Sequence, residues 1–189
     1  MPHHITVEPL TPALRETYLD YFDTDAVADN AGWAGCYCYF PHADHAARKW
    51  NVRSSAENRS AAASMLESGT MHGYLAFAEG RPIGWCSANT RDIYTIFDSD
   101  PRDQSAIGVV ACFVVAESHR GQGVARALLE SAIAGFREQG IETVEAFPLE
   151  EAETAASNHF GPLSMYQRAG FKVVGKDGKN LVVRKSLKN

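Results

Sequence analysis

No apolar run in this 189-residue chain approaches the roughly 20 residues that cross a bilayer, and lysine and arginine nowhere cluster into a basic stretch. The first absence excludes a membrane span. The second, with a net charge of -5, excludes a nucleic-acid-binding module, which carries a basic footprint. The opening Met1-Pro2-His3-His4 starts no signal peptide, so the expectation is a cytoplasmic protein. Internal repeats and low-complexity linkers are also lacking. With 45% hydrophobic and 22% charged residues, the chain reads as one domain over 1–189 with a sizeable core.

Cysteine is scarce. Cys86 and Cys112 fall in apolar strand candidates, where a free thiol behaves as a small hydrophobe. Cys36-x-Cys38 lacks the second Cys/His pair of a zinc site, although His42 and His45 lie close by. The reading is no disulfide framework and no metal.

Periodicity and breakers give the coarse order. Residues 5–8 read as a first strand. Pro12 suits the start of a helix running to about Phe22, with Thr11 as N-cap and Leu14, Tyr18 and Phe22 on one face. Ser54 or Ser55 can cap a helix from about Ala56 to Glu67, closed by Gly69. Residues 74–78 and 83–88 flank Glu79-Gly80-Arg81-Pro82 as a hairpin, giving a central antiparallel meander. Residues 89–105 read as a long polar excursion, and long loops in compact domains often carry function. Ile107–Val115 is an apolar strand. A helix to about Glu138 follows, with Val124, Leu128, Ala132 and Phe136 on one face. Residues 143–147 form a further strand, and 150–158 read as an extended loop.

Between the apolar strand and its helix stands Arg120-Gly121-Gln122-Gly123-Val124-Ala125. Two glycines allow close backbone approach to a ligand, and the helix adds its unpaired first N–H groups and positive dipole end. An anion should bind here, although Gly-x-Gly before a helix also occurs in loops that merely turn the chain. The dinucleotide fingerprint fails, because Arg126 stands where its third glycine belongs. The triphosphate loop fails for want of Gly-Lys-Ser/Thr.

What remains resembles the coenzyme A pyrophosphate loop of the GNAT superfamily of N-acetyltransferases, here Arg120, Gly123 and Ala125. Downstream, Leu163-Ser164-Met165-Tyr166-Gln167-Arg168-Ala169-Gly170-Phe171 resembles the family's second signature, a helix with Tyr followed by Gly-Phe. The resemblance covers 107–185 and a bacterial subgroup of unassigned substrate. It implies an α/β fold: a mixed, mostly antiparallel sheet of six or seven strands flanked by helices, with the fourth and fifth strands splayed to admit the pantetheine arm. It further implies an acceptor-side half over 1–105 and an acetyl-CoA-binding half over 106–189. The family often has Asn seven residues before the Tyr; His159 stands there, with Asn158 one step off.

Acetyl transfer to an amine has three needs. A lysine-like amine with pKa about 10.4 is only on the order of 0.1% neutral near pH 7.4, so a base or a desolvating site is required. Glu145 on the fifth strand is a candidate base, although strand alternation can turn it to solvent. Charge developing on the thioester oxygen needs donors, and the resemblance points to the backbone of Phe113, Val114 and Val115. The departing thiolate needs a proton, for which Tyr166 matches the family's Tyr; the plainer role for that residue is a core ring with its hydroxyl bonded. Full transfer from Tyr to thiolate is uphill by roughly 2 kcal/mol, so a hydrogen bond that strengthens with charge suits it better. Arg120, Gly121, Gln122, Gly123, Val124, Ala125 and Asn158 complete the cofactor set, with acetyl-CoA as cosubstrate. Cys112 is expected to be an inert thiol.

The acceptor pocket is expected from the N-terminal half, where residues 33–42 are dense in rings. Trp33, Tyr37, Tyr39 and Phe40, with Trp85, form either a core plug or an acceptor wall that stacks on a flat substrate or holds a cation. The expected activity is N-acetylation of a small-molecule primary amine. Protein lysine or N-terminal acetylation is an alternative, as is a coenzyme A-binding sensor without turnover. Oligomeric state is left open, a homodimer included.

Overall fold

The computed structural model describes residues 4–97, 106–151 and 158–188. Seven strands form one sheet in the order β1-β2-β3-β4-β5-β7-β6. They are β1 (Thr6–Pro9), β2 (Gly73–Ala78), β3 (Arg81–Thr90), β4 (Ile107–Val115), β5 (Thr143–Ala146), β6 (Lys172–Asp177) and β7 (Asn180–Ser186). The β4–β5 pair is parallel and every other pair antiparallel. The helices are α1 (Arg15–Thr24), α2 (Ser55–Glu67), α3 (Val124–Glu138) and α4 (Leu163–Arg168). Among the described residues no helix is long and apolar enough to cross a membrane.

Local chemistry explains most boundaries. Ser54 caps α2 through a reciprocal capping box with Glu57, and Gly69 beyond the helix takes a φ of 67°. The β2–β3 hairpin turns on Glu79 and Gly80 alone, both at positive φ, so Arg81 and Pro82 belong to β3 rather than to the turn. Strand β3 likewise takes in Asn89 and Thr90, shortening the expected excursion, of which 98–105 lie outside the described residues. Thr11 makes no side-chain cap, because Pro12–Leu14 first winds a 3-10 turn and α1 begins only at Arg15.

The sheet is covered on both faces. Helix α3 buries Val124, Leu128, Leu129, Ala132, Ile133 and Phe136 on one, each but Ala132 worth roughly 1.5–3 kcal/mol. Gly84 and Gly108 let it seat closely, since a Cβ there would meet Val124 at 2.7 Å and Phe136 at 2.8 Å. Helices α1 and α2 pack on the opposite face, where Tyr18, Tyr21, Leu66 and Trp85 are fully enclosed.

The parallel pairing of β4 with β5 runs from Ile107 opposite Thr143 to Val110 opposite Ala146 and then stops. Strand β4 continues to Val115 while β5 ends, and Leu149 crosses to Asn180, the first residue of β7. The two strands are splayed, as the resemblance implies.

Candidate active site

The loop between β4 and α3 opens on this splay. Gly121 and Gly123 have φ of 73° and 89°, conformations that favour glycine. A Cβ on Gly121 would meet no atom within 4 Å, and one on Gly123 only the Arg126 guanidinium, at 4.0 Å. These glycines therefore leave open space outside the loop instead of admitting a protein neighbour. Gly123 is also the N-cap of α3, which has no side-chain cap. Loop and helix start line a cavity of about 700 Å³ with Phe113, Val114 and Val115 of β4. Asn158 and His159 face it too, which resolves their register: both line the cleft.

The Arg120 side chain has another partner. Its Nη1 and Nη2 donate to the two carboxylate oxygens of Asp29 at 2.6 and 2.8 Å, and its Nε to the Val115 carbonyl at 3.0 Å. The Arg120 hydrogen bonds hold the Asp29 carboxyl below the usual carboxylate range. Gln122 turns back as well, its amide donating to the Ser118 carbonyl. The backbone of 121–123 faces the cavity, while the Arg120 guanidinium is held by a competing anion. Arg126, exposed and 3.8 Å from Glu130, and Arg168 of α4 supply side-chain cations to the cavity. Neither was expected; Arg126 follows the glycine motif directly, which is the signal that could have found it.

A turn over 158–161 lies along the unpaired part of β4. Gly161 N–H donates to the Asn158 carbonyl at 2.8 Å, and Phe113 N–H donates to the His159 carbonyl at 2.6 Å. The Phe113 amide, expected as an oxyanion donor, is thus engaged, because an open strand edge recruits the nearest carbonyl. Tyr166 lies beneath this turn. Its ring is fully buried between Phe113 and Phe171, and its hydroxyl donates to the Phe160 carbonyl at 2.6 Å. Burial raises its pKa well above the ordinary tyrosine value. Tyr166 lines neither cavity.

Glu145 is not at solvent and faces no cavity. It is fully buried and ion-paired to Arg91 and Arg184, with the Arg91 guanidinium over the rings of Phe97 and Phe147. Two cations compensate a charge that burial would otherwise penalise, so its place is structural.

A second cavity, of about 280 Å³, adjoins the first. Trp33 and His159 line both, and Ala111 and Cys112 on its wall precede Phe113 of the first along β4. Of the expected acceptor residues, Trp33 and Phe40 line it, joined by Trp50, Ile96 and Phe160. Tyr37, Tyr39 and Trp85 do not. Tyr37 is core, its hydroxyl donating to Asp23 at 2.6 Å and its carbonyl accepting from Tyr18. Tyr39 stacks under Arg53, and Trp85 is wholly enclosed against Tyr18. The segment is thus both plug and wall. Consecutive turns wind it, and left-handed Tyr37 and Cys38 send alternate side chains to core and cavity.

Cys36, Cys38 and Cys112 complete this wall. Burial pushes the Cys36 thiol up to about 12, and the bond to Cys38 together with burial raises that of Cys112, so neither is a nucleophile at neutral pH. Among the described residues no group of three His, Cys, Asp or Glu could hold a metal ion.

Residues 33–171 match the family model described as the acetyltransferase (GNAT) family. The chain belongs to the GNAT acetyltransferase family. Solved structures agree on the fold. An N-acetyltransferase from Staphylococcus aureus superposes with a TM-score of 0.60 at 17% identity, over 98% of this chain and 99% of that one. PaiA N-acetyltransferase from Thermoplasma acidophilum, in complex with coenzyme A, gives 0.56 at 16% identity over 97% and 99%. A ribosomal-protein-alanine N-acetyltransferase from Brucella melitensis gives 0.55 at 18% identity over 96% and 99%. No curated protein matches the sequence. As a GNAT acetyltransferase the protein catalyses acetyl-CoA-dependent acetyl transfer, and the open space outside Gly121 and Gly123 suits a pyrophosphate.

Proposed function

We propose that this single-domain GNAT protein is a cytoplasmic N-acetyltransferase that moves an acetyl group from acetyl-CoA directly to the primary amine of a small molecule. The observation that carries this reading is the meeting of two cavities along β4, one glycine-cradled and long, the other small and aromatic, with Trp33 and His159 in both walls. Direct transfer needs donor and acceptor side by side, and two adjoining chambers supply that proximity.

The backbone of 121–125 would hold the pyrophosphate, with Arg126 and Arg168 adding positive charge and Val114 and Val115 flanking the pantetheine arm. Asn158 would complete the cleft. Acetyl-CoA supplies the acetyl group as an activated thioester. The acceptor nitrogen bonds to the acetyl carbon as the carbon–sulfur bond breaks; the nitrogen loses one proton and the departing sulfur gains one. Tyr166, whose hydroxyl here donates to the Phe160 carbonyl, would assist the sulfur by hydrogen bonding once that bond is released toward the cleft. Its raised pKa favours a bond that strengthens with charge over complete proton transfer.

The test is coenzyme A release by purified protein supplied with acetyl-CoA and a panel of amines, antibiotics and peptides, with Tyr166→Phe as control. Turnover of a small amine supports the reading. Turnover of peptides alone favours the protein-acetylating alternative, and binding of acetyl-CoA with no turnover favours a sensor.

A further inference from the structure

We propose that the smaller cavity selects an amine carried on an apolar ring, and that His159 is the base that takes its proton. This deepens the acyl-transfer reading above and rests on it.

The wall chemistry sets the acceptor class. Trp33, Phe40, Trp50 and Phe160 contribute rings, and Pro41 and Ile96 contribute aliphatic surface. The polar side chains among them are three thiols and one imidazole. Among the described residues no carboxylate lines the cavity, so none of these walls offers a bound ammonium a counter-charge. Desolvation by these rings disfavours the charged form of an amine. Long polycations and lysine-like chains find no carboxylate partner among these described walls. A hydrophobic ring gains from every wall, and a volume of about 280 Å³ lies at the low end of small-molecule pockets, enough for one or two fused rings. Phe40 and Trp50 already meet edge to face, with centroids 4.9 Å apart and planes at 78°, an arrangement that a third ring extends.

The same desolvation delivers the amine neutral. Attack then leaves one proton on nitrogen to be removed. His159 lines both chambers and its ring lies 4.4 Å from that of Trp33, so a nitrogen passing from the small cavity toward the cleft meets the imidazole. The Cys38 thiol, its pKa lowered by its hydrogen bond with Cys112, is buried and engaged in that bond, and three further ionisable groups are poorly suited. Glu145 is enclosed by two arginines, Tyr166 lines neither cavity, and the Cys36 thiol is held protonated by burial. In the balanced step the nitrogen–carbon bond forms as the carbon–sulfur bond breaks, the nitrogen gives one proton to the imidazole, and the sulfur leaves as a thiolate that takes up this proton from the imidazolium by way of solvent.

The test uses the full chain with saturating acetyl-CoA and four probes: 2-phenylethylamine, tryptamine, spermidine and a peptide with a free N-terminus. Ring amines are expected to show at least about tenfold higher kcat/KM than spermidine or the peptide. Trp50 lines the small cavity alone and is only partly buried, so Trp50→Ala should fold; it is expected to raise the ring-amine KM about tenfold while the acetyl-CoA Kd stays within about twofold. His159→Ala should lower kcat at least about tenfold while the ring-amine Kd, read by tryptophan quenching, rises no more than about threefold for the lost wall contact, and added imidazole should restore part of the rate. Preference for spermidine or the peptide overturns this inference and leaves the acetyltransferase reading intact. Displacement of the ring amines by tetramethylammonium would show a cation cage and also overturn it, as would ring amines that bind without turnover or fail to bind. Absence of acetyl-CoA binding, by calorimetry, sinks the underlying reading instead.

Discussion

The indole of Trp33 and the imidazole of His159 lie 4.4 Å apart with planes at 62°, and the pair belongs to the walls of both cavities. One partner comes from the aromatic N-terminal segment and the other from the turn that follows β5. Trp33→Ala is therefore expected to raise KM for acetyl-CoA and for the acceptor together, each by about tenfold. Steady-state kinetics with both substrates varied checks this; a change confined to one substrate would show that the ring serves one chamber only.

Tyr166→Phe removes a hydroxyl but keeps the ring that Phe113 and Phe171 pack against. Turnover is expected to fall more than about tenfold, with the acetyl-CoA Kd nearly intact. Loss of the bond to the Phe160 carbonyl should cost about 1 kcal/mol of stability. Single-turnover kinetics beside thermal unfolding separates the two effects, and undiminished turnover discards the role at sulfur.

Gly123→Val places a β-branched residue at a φ of 89° and fills space that the protein itself leaves open. Coenzyme A binding should be abolished while the domain folds at a cost of about 1–3 kcal/mol. Calorimetry and circular dichroism together check it, and retained micromolar binding would refute the cradle.

Arg120 and Arg126 should behave differently. Arg126→Ala removes an exposed cation from the cleft and is expected to weaken coenzyme A binding several-fold, less so at high salt. Arg120→Ala breaks the bonds to Asp29 and Val115 and should lower the melting temperature. Binding isotherms at low and high salt, with melting curves, distinguish them.

Burial lowers the His42 pKa from 6.5 to about 4, with its ring against Tyr94. The unfolded chain binds a proton as pH falls through 6.5, while the folded chain stays neutral until about 4. This contribution is whole above pH 6.5 and drains away between 6.5 and 4, by at most about 3 kcal/mol. His42→Phe should flatten the slope in denaturation measured across that window. A residual slope at lower pH is expected from Glu57, whose carboxyl is held at about 2 by Arg48 and the Ser54 cap.

What could be read from the sequence follows the range of the forces involved. Helix α3 and strand β4 are legible because one repeats an apolar face and the other is a continuous apolar run; the Ser54–Glu57 cap is legible because its partners are three residues apart. Glu145 was not, since the arginines that bury it come from positions 91 and 184, and strand alternation says nothing of distant partners. For the same reason Asp29, far from the loop in sequence, could not be foreseen as the partner of Arg120. Ring density marked residues 33–42 as a wall, but only left-handed Tyr37 and Cys38 decide which rings face the cavity.

The hydrogen bond from Phe113 N–H to the His159 carbonyl makes the turn over 158–161 a stand-in for a missing strand. Any guest that claims this amide must take it from the residue whose ring walls the neighbouring chamber. The two compartments therefore meet in one residue, whose carbonyl occupies a β4 amide beside the first and whose ring walls the second.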